Sequence, residues 1–172
     1  MKSIVIYSSL TGNTKQVAEA ITSVLPADTL CVSMKELPPD ISSYDLVFAG
    51  FWVDKGTANK DARDVLGTLH NPHIALFATA GVPPQMAHAK ESLINAANCL
   101  PDGVEPVGTF ICQGKVDPKV IEMMYKMFPK GHSHGQSADR DARHKQAAVH
   151  PNEDDFKAAQ DFAQHILAKL DR

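Results

Sequence analysis

Five short apolar runs, each followed by a helix-patterned or polar segment, constrain this chain more than any other feature of its sequence. The runs are Ser3–Tyr7, Thr29–Ser33, Leu46–Trp52, Ile74–Ala78 and Val107–Cys112. The third, Leu46-Val47-Phe48-Ala49-Gly50-Phe51-Trp52, has no polar interruption, as a strand covered on both faces requires. Between the runs, apolar residues recur at helical spacing: Val17, Ala20, Ile21 and Val24 before Pro26; Ala62, Val65, Leu66 and Leu69 within 58–69; Met86, Ala89, Leu93 and Ala97 within 85–98, where Pro84 suits a first helical position. Parallel strands need such long crossovers, which are nearly always right-handed. The pattern therefore predicts an α/β fold, a doubly wound five-stranded parallel sheet with helices on both faces.

The carboxyl-terminal third breaks the rhythm. Asp117-Pro118 predicts the start of a helix over 119–128, ended by Pro129. Residues 130–151 are rich in His, Gly, Ser and mixed charge and are expected to be a solvated loop, with His132, His134, His144 and His150 too loosely spaced for a metal site. Asn152, followed by Glu153, Asp154 and Asp155, predicts a capped final helix on Phe156, Ala159, Phe162, Ala163, Ile166, Leu167 and Leu170. The expectation is one domain over 1–172, with a helix-plus-loop segment inserted at about 115–150.

A net charge of −3 with both signs interspersed argues against nucleic acid or an anionic membrane as partner. With no apolar run near 18 residues and no leader-like start, the chain is expected to be soluble and cytoplasmic. Cys31, Cys99 and Cys112 form no C-x-x-C pair and are expected to be buried thiols in a reducing compartment.

The chemistry is expected at the first strand end. Ser8-Ser9-Leu10-Thr11-Gly12-Asn13-Thr14 joins a strand to a helix, where unpartnered backbone N–H groups and the helix dipole suit an anion. Hydroxyls and an amide add donors, and Gly12 lets the backbone curl. The loop is neither G-x-x-x-x-G-K-[ST] nor G-x-G-x-x-G, and no paired carboxylates follow the strand. A phosphate monoester fits such neutral donors; a plain strand-to-helix turn is the other explanation. Ligands of doubly wound sheets sit beyond the strand carboxyl ends, here Ser8 to Thr14, Phe51 to Thr57, Thr79 to Pro84 and Gln113 to Lys115.

With I-V-I-Y-S-S-L-T-G-N-T-K-Q-V-A at the first strand, G-F-W-V-D-K-G-T at the third and A-T-A-G at the fourth, the chain resembles a flavodoxin from residue 1 to about 114 and over the last helix. The resemblance implies strand order 2-1-3-4-5 and an FMN cofactor. It places the FMN phosphate on Ser8, Ser9, Leu10, Thr11, Gly12, Asn13 and Thr14, and Trp52, between Phe51 and Val53, against the flavin ring. Gly56, Thr57, Thr79, Ala80, Gly81 and Val82 would line the ring's polar edge, with a Gly56 carbonyl turned toward it. The alternative for Trp52 is a core tryptophan. Many flavodoxins carry a second stacking aromatic in the fourth loop, and this chain has none there. Trp52 with Gly56, and F-P-K-G-H-S-H, also resemble a flavodoxin-like subgroup of anaerobic bacteria associated with bilirubin reduction. The function implied is an electron carrier between a reductase or ferredoxin-like donor and an acceptor enzyme, such as a tetrapyrrole (bilirubin) reductase. The alternative is an FMN-dependent NAD(P)H or quinone oxidoreductase of the same fold.

Overall fold

In the computed structural model, which describes residues 1–171, the chain runs β1 (Ser3–Tyr7), α1 (Asn13–Thr22), β2 (Leu30–Ser33), a 3₁₀ turn (Ile41–Ser43), β3 (Leu46–Asp54), β4 (Thr57–Ala58), α2 (Lys60–Leu66), β5 (His73–Ala80), α3 (Ala87–Ala97), β6 (Gly108–Gln113), α4 (Pro118–Met127), α5 (Ala138–Ala147) and α6 (Glu153–Leu170). Five strands pair in parallel in the order β2-β1-β3-β5-β6. Not counting β4, this is the expected order. β3 is central: Ser3 pairs with Leu46 and Tyr7 with Gly50 on one side, Leu46 with His73 and Trp52 with Thr79 on the other.

The period-2 pattern of β3 divides the core. Val47, Ala49 and Phe51 face α2 and α3 through Ala62, Leu66 and Ala96. Leu46 and Phe48 face α1 and α6 through Val17, Ile21, Ala159, Ala163 and Ile166. Phe48, Phe51 and Phe77 are wholly buried, each stabilising the fold by roughly 1.5–3 kcal/mol relative to exposure. Gly50 is required by a close approach: a Cβ there would lie 2.1 Å from the Phe77 ring, which crosses β3 at this point.

Several boundaries differ from expectation. α1 ends at Thr22, before Pro26, and α2 spans 60–66 rather than 58–69. β3 continues past Trp52 and folds back through a tight hairpin onto β4, with Lys55 (φ 50°) and Gly56 (φ 78°) both left-handed at its tip. α3 starts at Ala87, so Pro84 lies in the preceding turn, and Met86 is an exposed cap residue rather than part of the buried face.

The supposed loop at 130–151 contains α5. That helix has no apolar stripe to betray it; only Ala147 is buried. It is held by the Ser137 cap and by charge placed along its dipole, Asp139 and Asp141 in the first turn and His144 and Lys145 in the last. α6 carries a full capping box: Asn152 Oδ1 accepts from the Asp154 and Asp155 backbones, and Asp155 accepts from the Asn152 N–H at 2.8 Å. No helix among the described residues is long and apolar enough to cross a membrane.

Candidate functional site

The carboxyl ends of β1, β3, β5 and β6 open on one side of the sheet, and the loops that leave them enclose a cleft of about 230 Å³. The first loop contributes Ser9, Leu10, Thr11, Asn13 and Thr14, and β3 contributes Trp52, Val53 and Asp54. Thr79, Ala80 and Gly81 come from β5, and Gly114, Lys115, Val116, Asp117 and Val120 from the segment after β6.

The first loop is built to present its backbone. Gly12 is left-handed (φ 95°, ψ −10°), a conformation that costs a side-chain-bearing residue energy, and from it the chain turns directly into α1. No side chain caps α1, so its first N–H groups stay open beside the cleft. The Gly12 N–H itself donates to Ser9 Oγ at 3.1 Å, tying the loop. Thr14 and Thr79 share a buried hydroxyl–hydroxyl bond of 2.9 Å across the cleft floor, joining the first loop to β5. Asn13 Nδ2 donates to the Lys115 carbonyl at 2.8 Å, so this amide clamps the segment after β6 rather than standing free.

Ser8 faces the other way. Its hydroxyl accepts from Asn59 Nδ2 at 2.8 Å and borders a second cavity of about 240 Å³, lined also by Met34, Lys35, Asn59, Lys60 and Asp61. The half-buried Trp52 lines both cavities, as do Ser9, Leu10 and Asp54. The buried Asn59 Oδ1 has no partner among the described residues.

Besides Ser8 and Gly12, four further expected contacts do not line the main cleft. Phe51 is fully buried under α2 and α3, because its position in the strand alternation points it into the sheet core. Gly56 and Thr57 lie on the β3–β4 hairpin, and the Gly56 carbonyl accepts from Asn95 Nδ2 of α3 at 2.8 Å, turned to that helix. Val82 is half-buried in the turn beyond Gly81, outside the cleft wall. Asp54 and Gly114 line the cavities from within the expected strand-end ranges, whereas Asn59, Val116, Asp117 and Val120 lie outside every residue expected at the site. Asn59 lay within reach of the G-F-W-V-D-K-G-T signature; Val116, Asp117 and Val120 become visible only once the chain leaving β6 folds back over the cleft.

The cleft contains no nucleophile beside a base, and no three His, Cys, Asp or Glu side chains among the described residues converge as a metal-binding group. Cys112, buried within β6, is pushed up from 9.0 to about 12 by desolvation and then by the Asp155 carboxylate. It is an inert thiol at neutral pH. Cys31 and Cys99 are only half-buried, contrary to expectation, and all three cysteines are free.

A family model described as a flavodoxin domain matches residues 4–164. The chain belongs to the flavodoxin family. It is 35% identical to the flavodoxin-like domain-containing protein BilS of Clostridioides difficile over 98% of both chains. Among solved structures, flavodoxin 2 of Bacillus cereus superposes with a TM-score of 0.54 at 15% identity, covering 98% of this flavodoxin and 99% of that chain. A Lactobacillus acidophilus flavoprotein, solved in complex with FMN, gives 0.52 at 19% identity over 64% of this chain and 93% of its own.

Proposed function

We propose that this flavodoxin binds FMN in the cleft at the strand carboxyl ends and carries electrons from a reductase or ferredoxin-like donor to an acceptor enzyme, a tetrapyrrole reductase being one candidate. The observation that carries this is the uncapped start of α1, with neutral hydroxyls in its loop, opening on a cleft that holds one tryptophan. The donor set fits the group: α1 backbone N–H groups, with the Ser9, Thr11 and Thr14 hydroxyls, suit a phosphate dianion without a metal. Trp52 offers a flat apolar face to a ring, and the Gly81 and Val116 backbones line the cleft beside it, whereas the Ala80 carbonyl, the Gly114 N–H and both backbone groups of Lys115 are engaged in bonds within the chain.

FMN supplies the one- and two-electron chemistry; the chain binds it, orients it and limits its contact with water. The Thr14–Thr79 bond and the Asn13 clamp fix the two sides of the cleft relative to each other, so the site is formed before a ligand arrives. With free thiols and no disulfide, the chain fits a reducing cytoplasm.

A second reading, an FMN-dependent NAD(P)H or quinone oxidoreductase, is favoured by one observation. Among the described residues Trp52 is the only aromatic side chain that lines the cleft, so one face of a bound flavin would lack an aromatic cover and could meet a nicotinamide or quinone. Steady-state NAD(P)H consumption by the pure, FMN-loaded protein separates the two. A carrier turns over only when a flavodoxin reductase is added. Rapid unaided oxidation of NAD(P)H with a quinone acceptor would replace the carrier by the oxidoreductase.

A further inference from the structure

Charge is unevenly divided along this chain. The segment from Lys115 to His150 carries seven Lys and Arg against four Asp and Glu, a net of +3, together with half of the histidines. As the whole chain carries −3, the remainder is at −6. The basic segment leaves the cleft wall through Val116, Asp117 and Val120 and becomes α4.

α4 has two unlike faces. Ile121, Met124, Tyr125 and Phe128 are half-buried on the inner one, where Tyr125 donates to Asp141 Oδ1 of α5 at 2.9 Å. At 100° per residue, Lys119, Val120, Met123, Lys126 and Met127 form the other stripe. Val120, Met123 and Met127 are 38%, 56% and 64% exposed, and no side chain of α4 is fully buried. Among the described residues nothing buries the methionines at the centre of this stripe, which lysines flank and which is continuous with the cofactor cleft at Val120.

We infer that the outer stripe of α4 is the docking surface for an acidic redox protein, seated there so that its own centre lies beside the cleft. This rests on the carrier reading. Flexible, polarizable methionines make adaptable contacts that suit brief encounters. The flanking cations steer an acidic partner, while the acidic remainder of the molecule repels it from other faces. That same acidic remainder, and Glu122 paired with Lys126 at 2.7 Å inside the patch, disfavour a polyanion or an anionic membrane.

The test uses the full-length, FMN-loaded protein and two haem proteins, acidic cytochrome b5 and basic cytochrome c. In an NMR titration of the oxidised proteins, cytochrome b5 should shift Val120, Met123, Lys126 and Met127, with binding weakening as salt rises. Charge reversal at Lys119→Glu, Lys126→Glu and Lys130→Glu, all exposed, should weaken it about tenfold at low salt. Met123→Ser with Met127→Ser should weaken it at every salt concentration. Shifts centred elsewhere, no binding of cytochrome b5, tighter binding of cytochrome c to α4, or capture of the protein by anionic lipid vesicles would each overturn the inference. Electron delivery is read separately. If cytochrome b5 binds on α4 but the reduced protein passes it no electrons, the carrier reading falls and the docking surface stands; delivery with binding mapped elsewhere does the reverse.

Discussion

Trp52 shows how much one residue position decides. It is the last residue of β3 in register with β5, paired with Thr79, and from there the strand leaves the parallel sheet for the hairpin. Its ring therefore lines the cavities rather than packing in the core, where its neighbour Phe51 sits. Since Trp52 is the only tryptophan, its fluorescence should collapse as FMN saturates the apoprotein. Unquenched emission at saturation would place the flavin elsewhere. Cys112 makes a second prediction at this scale. Its folded pKa of about 12 exceeds the unfolded 9.0, so the unfolded chain releases the thiol proton first as pH rises. The contribution of the neutral buried thiol is whole below pH 9 and is lost between about 9 and 12. Denaturant unfolding of Cys112→Ala should show a shallower loss of stability over that window than the parent; parallel curves would show that Cys112 does not titrate as argued.

Among the elements, legibility followed the amount of apolar surface each one buries. β3 and α6 stand out in the sequence because packing against the sheet imposes their periods, and α6 also advertises its start through Asn152. Asn152→Ala removes the oxygen that accepts from the Asp154 and Asp155 backbones, and should cost about 1 kcal/mol in denaturant unfolding. An unchanged midpoint would mean that water or the Asp155 side of the box suffices. α5 and β4 went unseen for the converse reason. α5 is stabilised by a cap, dipole-matched charges and Tyr125 rather than by a buried stripe, and β4 is a two-residue return set by the left-handed pair Lys55-Gly56. Gly56 sits on that return, and its carbonyl accepts from Asn95 Nδ2 of α3.

For the molecule as a whole, the doubly wound sheet was legible because five apolar runs with helical crossovers allow few other arrangements. The cleft was legible only as far as strand ends predict it. Ser9, Thr11, Asn13, Thr14, Trp52 and Thr79 to Gly81 converge as the strand order requires. Val116, Asp117 and Val120 arrive by tertiary clamps, Asn13 on Lys115 and the Lys115 N–H on the His150 carbonyl, that no local pattern encodes. The proposed site requires the start of α1 and its hydroxyl loop to hold the phosphate of FMN. Calorimetric titration of the apoprotein with FMN and with riboflavin isolates that phosphate. Removing charge-assisted hydrogen bonds worth about 1.5–3 kcal/mol each should leave riboflavin at least about 100-fold weaker than FMN. Equal affinities for the two would contradict it.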